Sequence, residues 1–456
     1  MSKAWSARLV AVAVVGLVAL VATPAAGAKK KGKKLKNPTP VIFVHGGSGS
    51  GAQFESQQMR LTSNGFPQKR IHVLEYDTLA SLDATIDQVH ASLDALIEKV
   101  KAKTGKPKVD VLGHSRGTTV MHGYLESPER AANVRRYVNI DGRTSDTPPG
   151  GVPTLAIWAA VRTLGPGDGE ERSIGGATNV TIPNQTHVQV ATSKESFTPI
   201  LEFLIGKKPK TTKIKKGKKK ISVAGRAVVF PQNDGVPVGT ELEVWKLKGG
   251  SGERKGRKPV EEPNLTANGA WGPLKLQRGK RYEFALLRDD GSVHHLYPEP
   301  FLRNDRLVRL LSSIPNQGIE SLLTFDERST GMVISRYKEL WGDAGAQSDV
   351  LRVNGLNILT PATSPVSNTT IGVFVGDFNQ NGASDPTTPN PVLFGLPFLT
   401  GVDVFIPAAS PPNDTVEVSL TSRGKGKPRS LNVPNWRSST DRVSLIFNDH
   451  EQRAKK

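Results

Sequence analysis

The chain contains no cysteine in its 456 residues. Disulfides, thiolate nucleophiles and cysteine-ligated zinc are therefore excluded. Long apolar runs are also scarce. Leu9 to Ala22 is the one uninterrupted stretch, and it is short for a bilayer-spanning helix. Aromatic residues are missing from the two lysine-rich runs, "KKKGKKLK" (Lys29 to Lys36) and "KKPKTTKIKKGKKK" (Lys207 to Lys220). That absence argues against nucleic acid as a partner, because a single-stranded nucleic-acid binder interleaves stacking platforms with its positive charge. No internal repeat is visible.

What is present divides the chain. Lys3 and Arg8 precede the apolar run, and Ala26-Gly27-Ala28 follows it with the small-x-small pattern of a cleavage site. Residues 1–28 therefore read as a secretory signal, and the mature protein is expected to begin at Lys29 and to be secreted. The net charge of +19 is concentrated in the two lysine runs, which hold six and nine lysines. These runs read as solvated, self-repelling spacers. Their second reading is contact with an anionic lipid or cell surface. The length exceeds one core. The divisions expected are a basic spacer at 29–38, a first domain at 39–206, a linker at 207–220 and a second region at 221–450.

The first domain alternates strand and helix signals. "PVIFVHGG", "RIHVLEYD", "KVDVLGH", "VRRYVNIDG", "PTLAIWAA" and "NVTIPN" read as strands. Leu82, Ile86, Val89, Leu93, Leu96 and Val100 recur at helical spacing. Helices are also expected over Thr118 to Glu129 and Ser193 to Gly206. Such alternation predicts an α/β fold with a mostly parallel sheet. The second region, with short runs such as "SVAGRAVVF", "KRYEFALLR", "IGVFVGDF" and "RVSLIFN" between turn residues, predicts a β-sandwich-rich architecture. Arg303 to Gly342 reads as a partly helical connector.

Chemistry centres on Gly113-His114-Ser115-Arg116-Gly117, between a strand and a helix. A nucleophilic serine on a sharp strand-to-helix turn needs small residues two positions to either side. Its hydroxyl also needs a base. His187, in "PNQTHVQVAT", follows the last strand and precedes the last helix, the place where such a base is expected. An acid must orient the imidazole. Asp141 ends the strand after the serine's helix, Asp168 lies in the glycine-flanked loop "LGPGDGE", and Asp146 is a third candidate. Rigid positioning favours Asp141. Two amides are needed for an oxyanion, and those of Arg116 and Gly47 are the candidates, the latter in "HGG" after the first strand. His45 and His114 read as supports.

The stretches "VIFVHGGSGSGAQFES", "VDVLGHSRGTTV", "VNIDGRTSDTPPGGVPTLAIW" and "QTHVQVATSKESFTPILEFLIG" resemble secreted bacterial and archaeal lipases of the α/β-hydrolase superfamily, most of all an archaeal-type triacylglycerol lipase with a C-terminal β-rich domain. The resemblance continues through "LQRGKRYEFALLRDDG", "FLRNDRLVRLL" and "RYKELWGD". It implies a serine ester hydrolase acting on lipid esters, with Ser115, His187 and Asp141 as triad and no cofactor. The acid's family position, within a "-DG-" step, falls on Asp141-Gly142. One departure is that Val161 to Gly176 is rich in glycine and charge, so it offers no apolar lid. Rival readings are a short-chain carboxylesterase, a polyester depolymerase and a non-catalytic surface adhesin. All five site residues precede the lysine-rich linker, so a chain ending at Gly206 is expected to keep its activity on soluble esters, unless the two parts share a buried interface.

One more motif stands apart. "DFNQNGASD" sets Asp377, Asn379, Asn381 and Asp385 at alternate positions with Gly382 at the turn, as in a calcium loop. Thr388 stands where the bidentate glutamate belongs, and an Asn-Gly hairpin turn accounts for the same residues.

Overall fold

The computed structural model describes residues 35–161, 172–424 and 426–450. Residues 1–28, read above as a secretory signal, most of the first lysine run and Asp168 lie outside these residues. Six strands build the first sheet: β1 (Val41–Val44), β2 (Ile71–Leu74), β3 (Val109–His114), β4 (Val134–Ile140), β5 (Thr154–Ala159) and β6 (Thr178–Ile182). Every pairing is parallel, in the order β2-β1-β3-β4-β5-β6. β1, β3 and β5 are buried along their whole length. Helices cover both faces of such a sheet, which is why these strands read as continuous apolar runs and do not alternate.

The covering helices are α1 (Glu55–Ser63), α2 (Leu82–Thr104), α3 (Arg116–Leu125), α4 (Pro128–Ala131), α5 (His187–Thr192) and α6 (Lys194–Ile205). On one face, Val89, Leu93, Ile97 and Val100 of α2 pack with Val120, Met121 and Tyr124 of α3. On the other, Leu61 of α1 packs with Phe197, Ile200, Leu201 and Leu204 of α6. The single helix expected over Thr118 to Glu129 is two helices. Pro128 disfavours helical backbone at the residue before it. Ser127 accordingly takes an extended conformation and caps α4, its side chain accepting from the Arg130 N–H.

The second region is strand-rich. A sheet including Lys220–Val229, Ala270–Gln277 and Asp305–Ser312 faces one half of an eight-stranded sheet. Val223, Trp271, Leu274 and Leu310 meet Val244, Phe284 and Leu296 in that core. Strands Val350–Val353 and Val418–Thr421 cover the other half, around Ile334, Val373, Val402 and Leu445. Two sandwiches thus share one sheet, joined where Asp441–Phe447 runs parallel to both Val293–Pro298 and Met332–Arg336. The connector read as partly helical contains strands Asp305–Ser312 and Met332–Arg336 and one turn of 3-10 helix, Gly318–Leu322. The apolar cluster around Leu307 to Leu311 fits either periodicity, and parallel pairing with Lys220–Val229 decided it. The lysine-rich stretch is irregular chain tied back to the end of α1: Asn64 exchanges hydrogen bonds with Thr211, and the Lys215 N–H donates to Ser63 Oγ. No helix among the described residues is long and apolar enough to cross a membrane.

The shared sheet holds a buried charge network. His295 donates to Glu283 (2.6 Å) and Asp441 (2.8 Å), Arg254 bridges to Glu283, and Trp436 stacks on the imidazole at 3.9 Å. Burial alone would lower the His295 pKa, but its two carboxylate partners raise it above 6.5. A raised folded pKa contributes stability that is complete below the unfolded value near 6.5 and is lost as pH rises through the folded value. His295→Asn should therefore cost about 3 kcal/mol at pH 6, as expected for breaking a buried pair. It should cost clearly less at pH 9. Urea midpoints of both proteins at the two pH values test this, and an equal cost at both would contradict it.

Candidate active site

The strand order reverses direction between β1 and β3, and ligands bind at the carboxyl edge of a parallel sheet at such a point. The loop His45 to Gly47 leaves β1 there, and Ser115 leaves β3 beside it. Ser115 has φ 53° and ψ −124°, a strained conformation for a residue with a side chain. It is held by its N–H donating to Ile140 O and by its own carbonyl accepting from Thr118 N and Thr118 Oγ1. The flanking glycines have a steric reason. A Cβ on Gly117 would lie 2.4 Å from Val44 O, and one on Gly113 would lie 2.8 Å from Gly117 O. The serine turn can therefore pass beneath β1 only without those side chains.

Asp141 ends β4 with φ 45°, and its N–H donates to Ile157 O. Its Oδ2 accepts from His187 Nδ1 at 2.7 Å, and its Oδ1 accepts from the Ala159 N–H at 2.7 Å. Arg172 reaches the same Oδ1 at 2.9 Å and also donates to Ala159 O. Burial raises the Asp141 pKa, but the His187 hydrogen bond, the charges of His187 and Arg172 and the Ala159 amide outweigh it and hold the carboxyl below its usual value of 3.8. His187 begins α5. Its Nε2 is buried without a hydrogen-bond partner, in the pocket that Ser115, Gly47, Gln53 and His114 also line.

Around these groups the supports are specific. His114 Nε2 donates to the His187 carbonyl at 2.9 Å, and His114 Nδ1 accepts from Gln53 Nε2 at 2.7 Å. Burial, reinforced by His187, pushes the His114 pKa down to about 3, so this imidazole stays neutral and its tautomer is set by those two bonds. His45 is fully buried, donates to Gly46 O and stacks on Tyr76 at 4.4 Å, which holds the β1 loop. The Arg116 guanidinium donates to the carbonyls of Thr78 and Ala80, tying the loop after β2 to the start of α3. The structure thus brings Ser115, Asp141, His187, Gly47 and Arg116 to one sheet edge. It leaves Asp146 exposed, and Asp168 falls outside the described residues.

Sequence reasoning missed Arg172, Gln53 and a group from the second region. Glu339 is fully buried and accepts from the N–H groups of Val188 (2.5 Å) and Gln189 (3.0 Å), the two residues after His187. Tyr337, Ile371 and Phe398 line the pocket itself. The "DFNQNGASD" loop is a turn whose oxygens are spent on its own backbone. Asp377 accepts from the N–H groups of Asn381 and Gly382, and Asn379 Nδ2 donates to Asp403.

Arg172→Ala should lower kcat about 10-fold at neutral pH through a less firmly held Asp141. Arg172 is a cation beside the hydrogen-bonded Asp141–His187 pair, so without it the pair takes up a proton more readily and the acid limb of the kcat profile should move to higher pH. A pH–rate profile unchanged in shape would contradict this role.

The family model Lipase (class 2) matches residues 38–129 and the family model Lipase C-terminal domain matches 219–315. A further C-terminal domain model matches 318–451. Among solved structures, epoxide hydrolase A from Mycobacterium thermoresistibile is similar at 11% identity and a TM-score of 0.30, over 39% of this chain and 94% of that one. Est1E from Butyrivibrio proteoclasticus is similar at 13% identity and a TM-score of 0.27, over 38% and 90% of the respective chains. A carboxylesterase of Nitrososphaera gargenis is similar at 12% identity and a TM-score of 0.29, over 38% and 92%. The class 2 match takes in β1 to β3 of the six-stranded parallel sheet and the C-terminal lipase match lies on strand-rich sheets; together these matches support a lipase of the α/β-hydrolase superfamily, an ester-hydrolysing enzyme.

Proposed function

We propose that the protein is a secreted lipase that cleaves lipid esters, triacylglycerols among them, through an acyl-enzyme on Ser115. The observation that carries this reading is the His187–Asp141 hydrogen bond of 2.7 Å together with the unpartnered His187 Nε2 in the pocket that Ser115 lines. Ser115 Oγ attacks the ester carbonyl carbon while its proton passes to His187 Nε2. Asp141 holds the imidazole in the tautomer that can accept that proton and stabilises the imidazolium. The carbonyl oxygen, now an anion, takes hydrogen bonds from the amides of Gly47 and Arg116. Gly46 is not available for that role, since its N–H donates to Gln53 Oε1. The tetrahedral species collapses by breaking the bond to the alcohol oxygen, which takes the proton from His187. Water then gives a proton to His187 and its oxygen attacks the acyl carbon. Release of the acid returns the proton to Ser115. Val188, Ile371 and Phe398 add apolar lining suited to a hydrocarbon substrate.

Hydrolysis of p-nitrophenyl esters of increasing chain length, with and without emulsified triglyceride, tests the reading. Turnover of medium and long esters and of the emulsion is expected. Activity confined to acetate and butyrate would replace it with a short-chain carboxylesterase, and no hydrolysis of any ester would overturn it. Export is part of the same reading, supported by the leader pattern in residues 1–28, and protein recovered from the medium should begin at Lys29.

A further inference from the structure

The wall of the pocket facing His187 comes from a distant part of the chain. Phe398 places its ring nearly parallel to the His187 imidazole, with 6.5 Å between centroids and 13° between planes. Its backbone has φ 67°. That is the left-handed region, where glycine is the ordinary occupant and a bulky side chain is a genuine outlier. The conformation is held from outside: the Phe398 carbonyl accepts from the N–H groups of both Ile371 (2.8 Å) and Gly372 (3.1 Å). Ile371 lines the pocket beside it, and so does Tyr337, whose hydroxyl lies 3.3 Å from Ser50 Oγ.

The ring is not needed where the chain would ordinarily spend it. The core beneath this segment is filled by Val373, Val375, Val402, Val404 and Ile406, and Phe398 is not among its members. It is only partly buried. It also stands next to last in a run without polar side chains, "PVLFGLPFL" (Pro391 to Leu399), in which Val392 is 49% exposed. A strained backbone that aims an aromatic ring away from its own core and into a site is the pattern from which function is inferred.

We propose that Phe398 is the residue that selects the acyl chain of the substrate. The proposal rests on the serine-hydrolase reading above. An ester whose carbonyl carbon reaches Ser115 would direct its straight acyl chain along the face of Phe398 and past Ile371, both of which line the pocket. The ring sets how much chain the pocket takes near the reaction centre, and the ligand class is an unbranched fatty-acyl group.

The test uses the full chain with Phe398→Ala, Phe398→Leu and Phe398→Trp. Each is measured as kcat/KM on p-nitrophenyl butyrate and laurate, beside Ser115→Ala and active-site labelling with a fluorophosphonate. Removing the ring should raise the laurate-to-butyrate ratio about 10-fold, and enlarging it to Trp should lower the ratio by a similar factor, the size of effect that one or two methylenes exert in an apolar pocket. The Leu variant, which keeps bulk and apolarity, should fall between, and it carries the test if the Ala variant does not fold. Ratios within twofold of the unsubstituted protein in all folded variants, with Ser115 labelled and required, would overturn the role of Phe398 alone. Persistence of activity in Ser115→Ala would instead overturn the catalytic reading on which the proposal stands.

Discussion

Ser115→Ala leaves a folded protein whose kcat on any ester is lower by about 10⁴-fold or more. The size follows from how a triad works: its members act as a unit, so loss of the attacking oxygen idles the base and the acid together, and what remains comes from binding and the oxyanion donors. Folding should survive. Ser115 is half-buried, and the bonds that hold its turn are made by its main chain and by Thr118. Alanine must still adopt φ 53°, which costs what serine already tolerates. Circular dichroism and a kinetic assay on the same preparation separate chemistry from folding. Asp141→Asn should cost about 10⁴-fold, since a neutral amide cannot stabilise an imidazolium and, with its oxygen kept on the Ala159 amide and Arg172, it would turn its NH2 toward Nδ1 and select the wrong tautomer. Asp168→Asn run in parallel should cost little. A larger loss at Asp168 would transfer the orienting role to it.

A chain ending at Gly206 loses activity on soluble and emulsified esters alike. The sequence, with every site residue ahead of the lysine-rich stretch, argues for an autonomous catalytic part. The structure supplies the buried interface that argument lacked. Glu75 takes an ion pair from Arg309 at 2.6 Å, and Gln58 donates to Asp305 at 2.8 Å. The carbonyls of Gly49 and Tyr76 each accept from Asn233 Nδ2 at 3.0 Å. Leu307 packs into the core of the first region. Glu339 satisfies the two amides after His187, and Tyr337, Ile371 and Phe398 close the pocket. Each buried polar group left without a partner costs about 1–3 kcal/mol. A domain has only about 5–15 kcal/mol to lose. The truncated chain should therefore aggregate or retain less than about 1% of soluble-ester activity, a loss of roughly 3 kcal/mol or more in transition-state stabilisation. A soluble, monomeric product that turns over p-nitrophenyl butyrate at the full-length rate would contradict this.

Much of this protein could be read from its residues in order. Parallel strands buried on both faces announce themselves as unbroken apolar runs, and α2 shows its buried face at regular spacing, so the α/β core was legible. So was the grouping of Ser115, Asp141 and His187, because each follows a strand of one sheet, and parallel strands deliver their carboxyl ends to one edge. The glycines around Ser115 were legible as a pattern, but their cause, the carbonyls of Val44 and Gly117, belongs to the packing of β3 and α3 under β1. Short apolar runs between turn residues also disclosed the strand-rich second region, whereas the strand at Asp305–Ser312 was ambiguous until it had a partner to pair with. What local sequence could not disclose is everything that crosses between distant segments. Glu339 stands 151 positions from Val188 along the chain, and nothing in "RYKELWGD" marks its carboxylate for the amides beside a histidine. Phe398 reads as one more apolar residue in an apolar run. Whether such a side chain fills a core or faces a reaction centre depends on which backbone lies opposite it. Tertiary contact sets that relation, and periodicity carries no information about it.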